Sequence, residues 1–138
     1  MNLKCIGCNK EYSWQEVRYS CDCGESLEVV QDLEKLKSSV SKRLFDQRLA
    51  KNPFGSGVWR YKELILPVID QKENNKKIVT KNEGNTRLYS SKLIDDFTGN
   101  KNTSLKHEGE NPTGSFKDRG MTVGITAANF LNSQLLRH

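Results

Sequence analysis

The chain has 138 residues, of which 35% are hydrophobic and 28% charged, and its net charge is +5 at pH 7. This composition fits one ordinary globular domain and excludes a disordered chain. Basic residues occur in runs no longer than two, so the charge indicates a solvated surface and not nucleic-acid binding. No stretch is apolar enough to cross a membrane, and no signal core follows Met1, so we expect a cytoplasmic protein with reduced thiols.

Residues 1–30 are predicted to form short strands joined by turns, and they contain all the cysteines: Cys5, Cys8, Cys21 and Cys23. Two pairs of thiols on tight turns can supply the four ligands of a tetrahedral zinc ion. Asn9 and Gly24 each follow a pair and accept the left-handed backbone that turns N–H groups toward thiolates. We therefore predict structural Zn²⁺. Two disulfides or four free thiols are the alternatives, and a reducing compartment disfavours the disulfides.

Residues 31–77 are predicted to be a mixed helical and irregular connecting segment. Asp32 is expected to cap a helix that ends at Lys37, and Ser41 to cap one that ends at Ala50. Proline and glycine then interrupt the chain over residues 53–57. An apolar patch follows, formed by Trp59, Tyr61, Leu64, Ile65 and Leu66.

Residues 78–138 have the rhythm of an α/β domain. Strands are predicted over Ile78–Thr80 and Thr103–Glu108, and a short helix is predicted over Ser91–Phe97. In a βαβ unit, the helix at the end of the sequence should lead into another parallel strand.

The last predicted element is a helix from Ser115 to Leu136, with Ser115 and Asp118 as a capping box. It has a broad apolar stripe, which we expect to pack against a sheet: Phe116, Val123, Ala127, Phe130 and Leu131, widened by Met121, Ile125 and Ala128. Because the sequence ends soon afterwards, we expect it to be the N-terminal part of a longer α/β protein.

A turn-rich loop places Lys117 at the start of this helix. The positive end of the helix dipole disfavours an ammonium there and favours the neutral amine, which is the nucleophilic form. Carboxylates are preferred at that end of a helix, and stability alone would not place a lysine there. The position therefore indicates a functional role for Lys117. The alternative, which the residues by themselves do not exclude, is that Lys117 is an exposed lysine that only begins a helix and has no function.

Residues 111–121, NPTGSFKDRGM, resemble the cofactor-lysine motif of the threonine synthases, which are fold type II enzymes dependent on pyridoxal 5′-phosphate (PLP). Residues 5–24 resemble the zinc-ribbon-like segment of archaeal-type members. Residues 59–67, with WRY and LP, and residues 83–88, EGNTRL, are similar to further family segments. The resemblance implies the N-terminal portion of an α/β, tryptophan synthase beta-like PLP fold, preceded by a small β zinc-ribbon-like segment.

The resemblance also implies a reaction, the conversion of O-phospho-L-homoserine and water to L-threonine and phosphate. Lys117 would hold PLP as a Schiff base and move protons. Ser115, Phe116 and Asp118 would shape the loop and the cofactor wall. Arg119 is expected to pair with a carboxylate, and a homodimer is expected for the complete enzyme.

Two departures from the family pattern stand out. Arg87 occupies the position of the proline in EGxTPL, and the sequence ends before the family's other cofactor loops. Because anchoring the PLP phosphate takes several N–H donors, we expect the 138 residues to be inactive alone. The alternatives are a threonine or serine dehydratase of the same fold, and a non-catalytic zinc-ribbon module that binds nucleic acid or protein. Acidic residues in the ribbon disfavour the module.

Overall fold

The computed structural model describes residues 1–49, 51, 53–67 and 72–131, with only the backbone of residues 72–74. The chain divides into two compact units, Met1–Lys42 and Arg43–His138, called here the N-terminal and C-terminal units. The predicted helix ends at Ala50 and Leu136 lie outside the described residues. Within the described ranges, no helix combines the length and the apolar character that a membrane span requires.

A three-stranded antiparallel sheet forms the N-terminal unit, in the order β2–β1–β3. Its strands are β1 (Asn2–Cys5), β2 (Glu11–Ser13) and β3 (Leu27–Val30). In the central strand, Leu3 pairs with Tyr12 on one side and with Val29 on the other. The short strands predicted for this part of the sequence are confirmed.

The core of this sheet is small. Cys5, Tyr12 and Cys21 are buried, and Leu3 and Leu27 pack against them. So few apolar side chains bury little surface, and domains of this size usually need a further cross-link such as a metal ion.

Helix α1 (Leu33–Lys37) follows the sheet, and the predicted cap is confirmed. The Asp32 carboxylate accepts a hydrogen bond from the Lys35 amide at 2.9 Å.

Helix α2 covers Lys42–Gln47, across the boundary between the two units. In the C-terminal unit, a 3₁₀ turn over Trp59–Tyr61 leads into α3 (Lys62–Ile65), and another covers Lys72–Lys77. The predicted apolar patch is only partly buried: Trp59 is inaccessible to solvent, whereas Leu64 is exposed.

The small sheet of the C-terminal unit pairs β4 (Leu88–Tyr89) with β5 (Leu105–Lys106) in antiparallel orientation. Helix α4 (Lys92–Thr98) lies between them in sequence and confirms the predicted short helix. Its cap is Ser91, whose hydroxyl accepts from the Ile94 amide at 3.3 Å. The second predicted strand is shorter than expected, because residues 108–110 form a 3₁₀ turn.

The strand predicted over Ile78–Thr80 is wrong: the segment has no regular secondary structure and pairs with no strand in the described part of the chain. Threonine hydroxyls take the place of a neighbouring strand. Val79 donates its N–H to Thr126 Oγ1 at 3.0 Å, and Thr122 Oγ1 donates to the Val79 carbonyl at 2.6 Å. Both sheets of the described residues are antiparallel, and with the helices they make a mixed helix-and-strand structure.

The last described helix, α5, spans Asp118–Phe130 and begins later than the predicted Ser115. The predicted capping box is wrong. Ser115 Oγ accepts from the Lys117 amide at 3.2 Å, and the Asp118 carboxylate accepts from the Thr113 amide at 2.8 Å. Asp118 therefore closes the preceding loop instead of reaching back to Ser115.

The buried side of α5 is polar. Asp118, Thr122 and Thr126 are its buried residues, four positions apart on one face. The apolar stripe expected to be buried is exposed or half-buried, and Met121 is 58% exposed.

Candidate active site and metal centre

The four cysteine sulfurs of the N-terminal unit form one cluster, in which all lie within 4.8 Å of one another. Cys5 Sγ is 3.5 Å from Cys23 Sγ, and Cys8 Sγ is 3.5 Å from Cys21 Sγ. A zinc ion with bonds of about 2.3 Å separates tetrahedral sulfurs by about 3.8 Å, so the cluster has nearly the required size. The cysteines are free thiols.

The turns around the sulfurs have the expected backbone. Asn9 has a φ of 62° and Gly24 a φ of 91°, which confirms the left-handed conformation at both positions. The amides of Gly7 and Cys8 each donate to Cys5 Sγ at 3.4 Å. Such N–H groups stabilise a thiolate, the form of cysteine that binds metal.

The thiols influence one another's protonation. The N–H of Cys23 and then the Tyr12 hydroxyl lower the pKa of Cys21 to about 6. At Cys23, the N–H of Glu25 lowers the pKa, but the side chains of Cys21 and Cys5 raise it more, to about 12. Four thiolates this close repel one another, and a bound cation would relieve that repulsion.

The loop that carries Lys117 begins at an ion pair between Glu108 and Arg119. Arg119 Nε and Nη2 donate to the Glu108 carboxylate at 2.7 and 2.8 Å. Hydrogen bonding from Arg119 is the main cause of the low pKa of Glu108, about 2. The pair joins the two ends of the loop and confirms the prediction that Arg119 binds a carboxylate.

Asn111 connects the lysine loop to a second loop. Its Oδ1 accepts from the Gly84 amide at 2.8 Å, and its Nδ2 donates to the Glu108 carbonyl at 2.8 Å. Gly84 has a φ of 79° and lies so close to Gly57 that a Cβ there would be 2.8 Å from the Gly57 Cα. Only glycine fits this approach without displacing backbone.

Arg87 stands where the resemblance to EGxTPL predicts proline, and it uses its backbone N–H, which proline lacks. Its amide donates to the Glu110 carboxylate at 2.8 Å. Glu110 also accepts a short hydrogen bond from the Tyr89 hydroxyl. The backbone N–H of Arg87 therefore adds a contact between the two loops.

Lys117 lies at the N-terminal end of α5, one residue before its first turn, with an exposed side chain. Its backbone angles, φ −62° and ψ −24°, are already helical. Of the other predicted cofactor residues, Phe116 is exposed, Ser115 is half-buried and Asp118 is buried against Thr113. The four residues are adjacent, but Asp118 points into the loop and Lys117 toward solvent.

The described residues of the C-terminal unit line a smaller and a larger cavity. The smaller, about 220 Å³, lies beside the start of α5, and Asp118, Met121 and Ile125 are among its lining residues. The larger, about 830 Å³, is lined in part by Arg60, Lys106 and Arg119. Lys117 lines neither cavity as far as the chain is described.

Sequence reasoning missed the hydroxyls that fix α5 in place. Thr122 Oγ1 accepts from the buried Trp59 indole N–H at 2.9 Å while it donates to the Val79 carbonyl. The spacing of Thr122 and Thr126, one helical turn apart, is a visible signal. The sequence does not say what the two hydroxyls bind.

No protein-family model matches the chain. It is 45% identical to the threonine synthase of Methanocaldococcus jannaschii over 99% of its own length and 31% of the relative. It is 44% identical to that of Methanosarcina acetivorans over 92% of this chain and 28% of the relative. The chloroplastic threonine synthase 2 of Arabidopsis thaliana is 37% identical over 88% of this chain and 24% of the relative.

The fold and the site thus define a mixed helix-and-strand protein with a four-cysteine cluster and a lysine presented at a helix N-terminus. The chain belongs to the threonine synthase family and matches the N-terminal part of its members. It spans about a third of the length of the curated relatives that it matches. The relatives' names favour threonine biosynthesis over the dehydratase and the zinc-ribbon binding module.

Proposed function

We propose that this chain supplies the cofactor lysine of a PLP-dependent threonine synthase, and that Lys117 is that lysine. The reaction proposed is the conversion of O-phospho-L-homoserine and water to L-threonine and phosphate. The observation that carries the proposal is the position of Lys117. Its neighbours in the loop are held by hydrogen bonds, while its own side chain is exposed at the end of a helix.

The residues present fit the attachment of an aldehyde cofactor. The Lys117 side chain is exposed and makes no hydrogen bond or ion pair with the described residues, so a carbonyl group can reach its amine. PLP, when bound, supplies an electron sink for carbanions next to the amino group of the substrate. Ser115 and Phe116, which flank Lys117, are the residues that would contact the cofactor.

Rigid support of the loop is the second contribution of this chain. The Glu108–Arg119 ion pair and the Asn111 side chain fix the start of the loop, and the Asp118 carboxylate fixes its end. These contacts fix the backbone from which the Lys117 side chain extends, so the amine starts from a defined position, as positioning for proton transfer requires. We propose that Lys117 moves protons in the reaction once it is released from the cofactor.

The test uses a chimera in which this chain replaces the aligned 31% of the M. jannaschii enzyme. Threonine formation from O-phospho-L-homoserine is measured with PLP present. Lys117→Ala is expected to lower the rate by roughly a hundredfold to ten-thousandfold, the range for a general acid–base group, and to remove the yellow imine absorbance. Lys101→Ala, at another exposed lysine, is the matched control and should retain both. A Lys117→Ala chimera with full rate and absorbance would contradict the proposal.

We further propose that the 138 residues alone do not turn over substrate, because an exposed lysine by itself cannot position the PLP phosphate. The same assay without the relative's polypeptide should give no enzymatic threonine formation. A homodimer of the complete enzyme and the absence of nucleic-acid binding stay predictions.

In the N-terminal unit, we propose a structural zinc ion held by Cys5, Cys8, Cys21 and Cys23. The support is the spacing of the sulfurs and the backbone N–H donors directed at Cys5. Four thiolates leave no open coordination position, so the ion would stabilise the small sheet and take no part in the reaction.

A further inference from the structure

Helix α5 buries its polar face and exposes apolar residues, which is the reverse of the usual arrangement. Its buried face is polar, with Thr122 and Thr126, while Met121 is 58% exposed. The flanking apolar residues Val123 and Ile125 are only half-buried. A surface helix normally buries its apolar stripe and leaves its polar face in water, so the open side of α5 is a surface made for contact.

Two glycines on this side support the same conclusion. Gly120 and Gly124 are one turn apart and exposed, and a Cβ added at either would meet no heavy atom within 4 Å. Glycine weakens a helix interior relative to alanine. Nothing in the described chain uses the space that these glycines leave, whereas a partner that packs closely against α5 would.

Lys117 shares this open side. Residues four and seven apart lie on one face of a helix. Lys117 precedes α5, but its backbone angles are helical, so it lies on the same face as the residues four and seven positions later. Lys117, Met121, Gly124 and Ala128 therefore form one row, called here the open face. Arg119 lies on the opposite side of the helix, roughly 160° around the axis from Lys117, where it binds Glu108.

We propose that the open face of α5 docks against a polypeptide equivalent to the part of the threonine synthases beyond their N-terminal third. The aligned region takes in 99% of this chain but only 31% of the M. jannaschii relative, so a much longer polypeptide follows the counterpart of α5 there. A second copy fits less well. Helix α5 is about 20 Å long, and pairing through one such face buries far less than the roughly 1,200 Å² of a specific interface.

The docking site rests on exposure and packing and does not require Lys117 to be the cofactor lysine. A large partner could cover the open face and the half-buried flanks together, and it would enclose Lys117 at one end. Binding and cofactor chemistry can therefore be tested separately.

The test is binding in trans. This chain, with an affinity tag, is co-expressed with the M. jannaschii polypeptide that lacks the aligned segment, and complexes are purified without PLP. A one-to-one complex by light scattering is the expected result. The relative's own aligned segment, supplied in trans, is the positive control. A complex with that segment but none with this chain would overturn the proposal.

Substitutions locate the contact. Met121→Ser and Gly124→Ala should each weaken the complex about tenfold or more, which corresponds to 1.4 kcal/mol. Gly124→Ala should at the same time raise the thermal midpoint of the free chain, because alanine favours the helix. Tyr19→Ser removes an exposed aromatic ring from the N-terminal unit and is the control for loss of apolar surface. Equal binding by wild type and Gly124→Ala would contradict docking through this face.

Two further readouts make the test decisive. If the separated pieces do not fold, the chimera takes their place. Met121→Ser should then lower the thermal midpoint of the chimera by several degrees and leave that of the free chain nearly unchanged; equal shifts would refute docking. Lys117→Ala tests the cofactor through loss of imine absorbance in the chimera, whereas Met121→Ser tests docking through loss of the complex that forms without PLP, so the two proposals can fail separately. Self-association of the free chain that Met121→Ser abolishes, without binding to the relative's polypeptide, would point to a second copy and overturn the proposal.

Discussion

Replacing Thr122 by valine tests the hydroxyl arrangement that fixes α5. Valine keeps the shape of threonine but leaves the Trp59 indole N–H without an acceptor in a site closed to solvent. The Val79 carbonyl loses its 2.6 Å donor and keeps only a longer contact with Thr126, at 3.4 Å. A buried donor without a partner costs roughly 1–3 kcal/mol. Since small domains are stable by only about 5–15 kcal/mol, the effect should be large.

The assay is urea unfolding followed by Trp59 fluorescence in a Trp14→Phe background, since the chain contains two tryptophans. Thr122→Val should lower the free energy of unfolding by about 1–3 kcal/mol without a change in the slope of the transition. Thr122→Ser keeps the hydroxyl and loses a methyl group, so it should cost less, about 0.8 kcal/mol. A valine variant as stable as wild type, or a serine variant less stable than the valine variant, would refute the reasoning.

Two other predictions concern pH and metal. The pKa of Glu108 is held near 2 by Arg119, below the value of about 4.3 of an unfolded chain. The ion pair therefore stabilises the folded chain above the unfolded pKa of about 4.3, and this stabilisation is lost as the pH falls toward the folded pKa of about 2. The urea midpoints of wild type and Glu108→Gln should differ at neutral pH and converge between about pH 5 and pH 2. A gap that stays constant with pH would contradict this. Cys8→Ser should lose bound zinc in elemental analysis and unfold the small sheet in NMR spectra, because structural zinc contributes roughly 10–16 kcal/mol of apparent binding energy. Stoichiometric zinc in the variant would exclude the site.

Local chemistry explains which predictions succeeded. The cap at Asp32 was predictable because its side chain binds an amide three residues away, and Ser91 caps the predicted short helix in the same way. The left-handed Asn9 and Gly24 were predictable because few residue types accept that backbone. The errors arose where apolar patterning was taken to decide packing. Ile78–Thr80 reads as a strand, but the hydroxyls of α5 satisfy Val79.

The sequence by itself determined the four-cysteine pattern and the lysine motif, because both are set by residues close together in the chain. Only the tertiary structure shows which distant residues fix the parts of the chain around these motifs. Thr122 meets Val79 across 43 residues, and Asn111 meets Gly84 across 27. It also decided that α5 buries its threonines and exposes Met121. Periodicity shows that a helix has an apolar side, but only the folded chain shows whether anything covers that side.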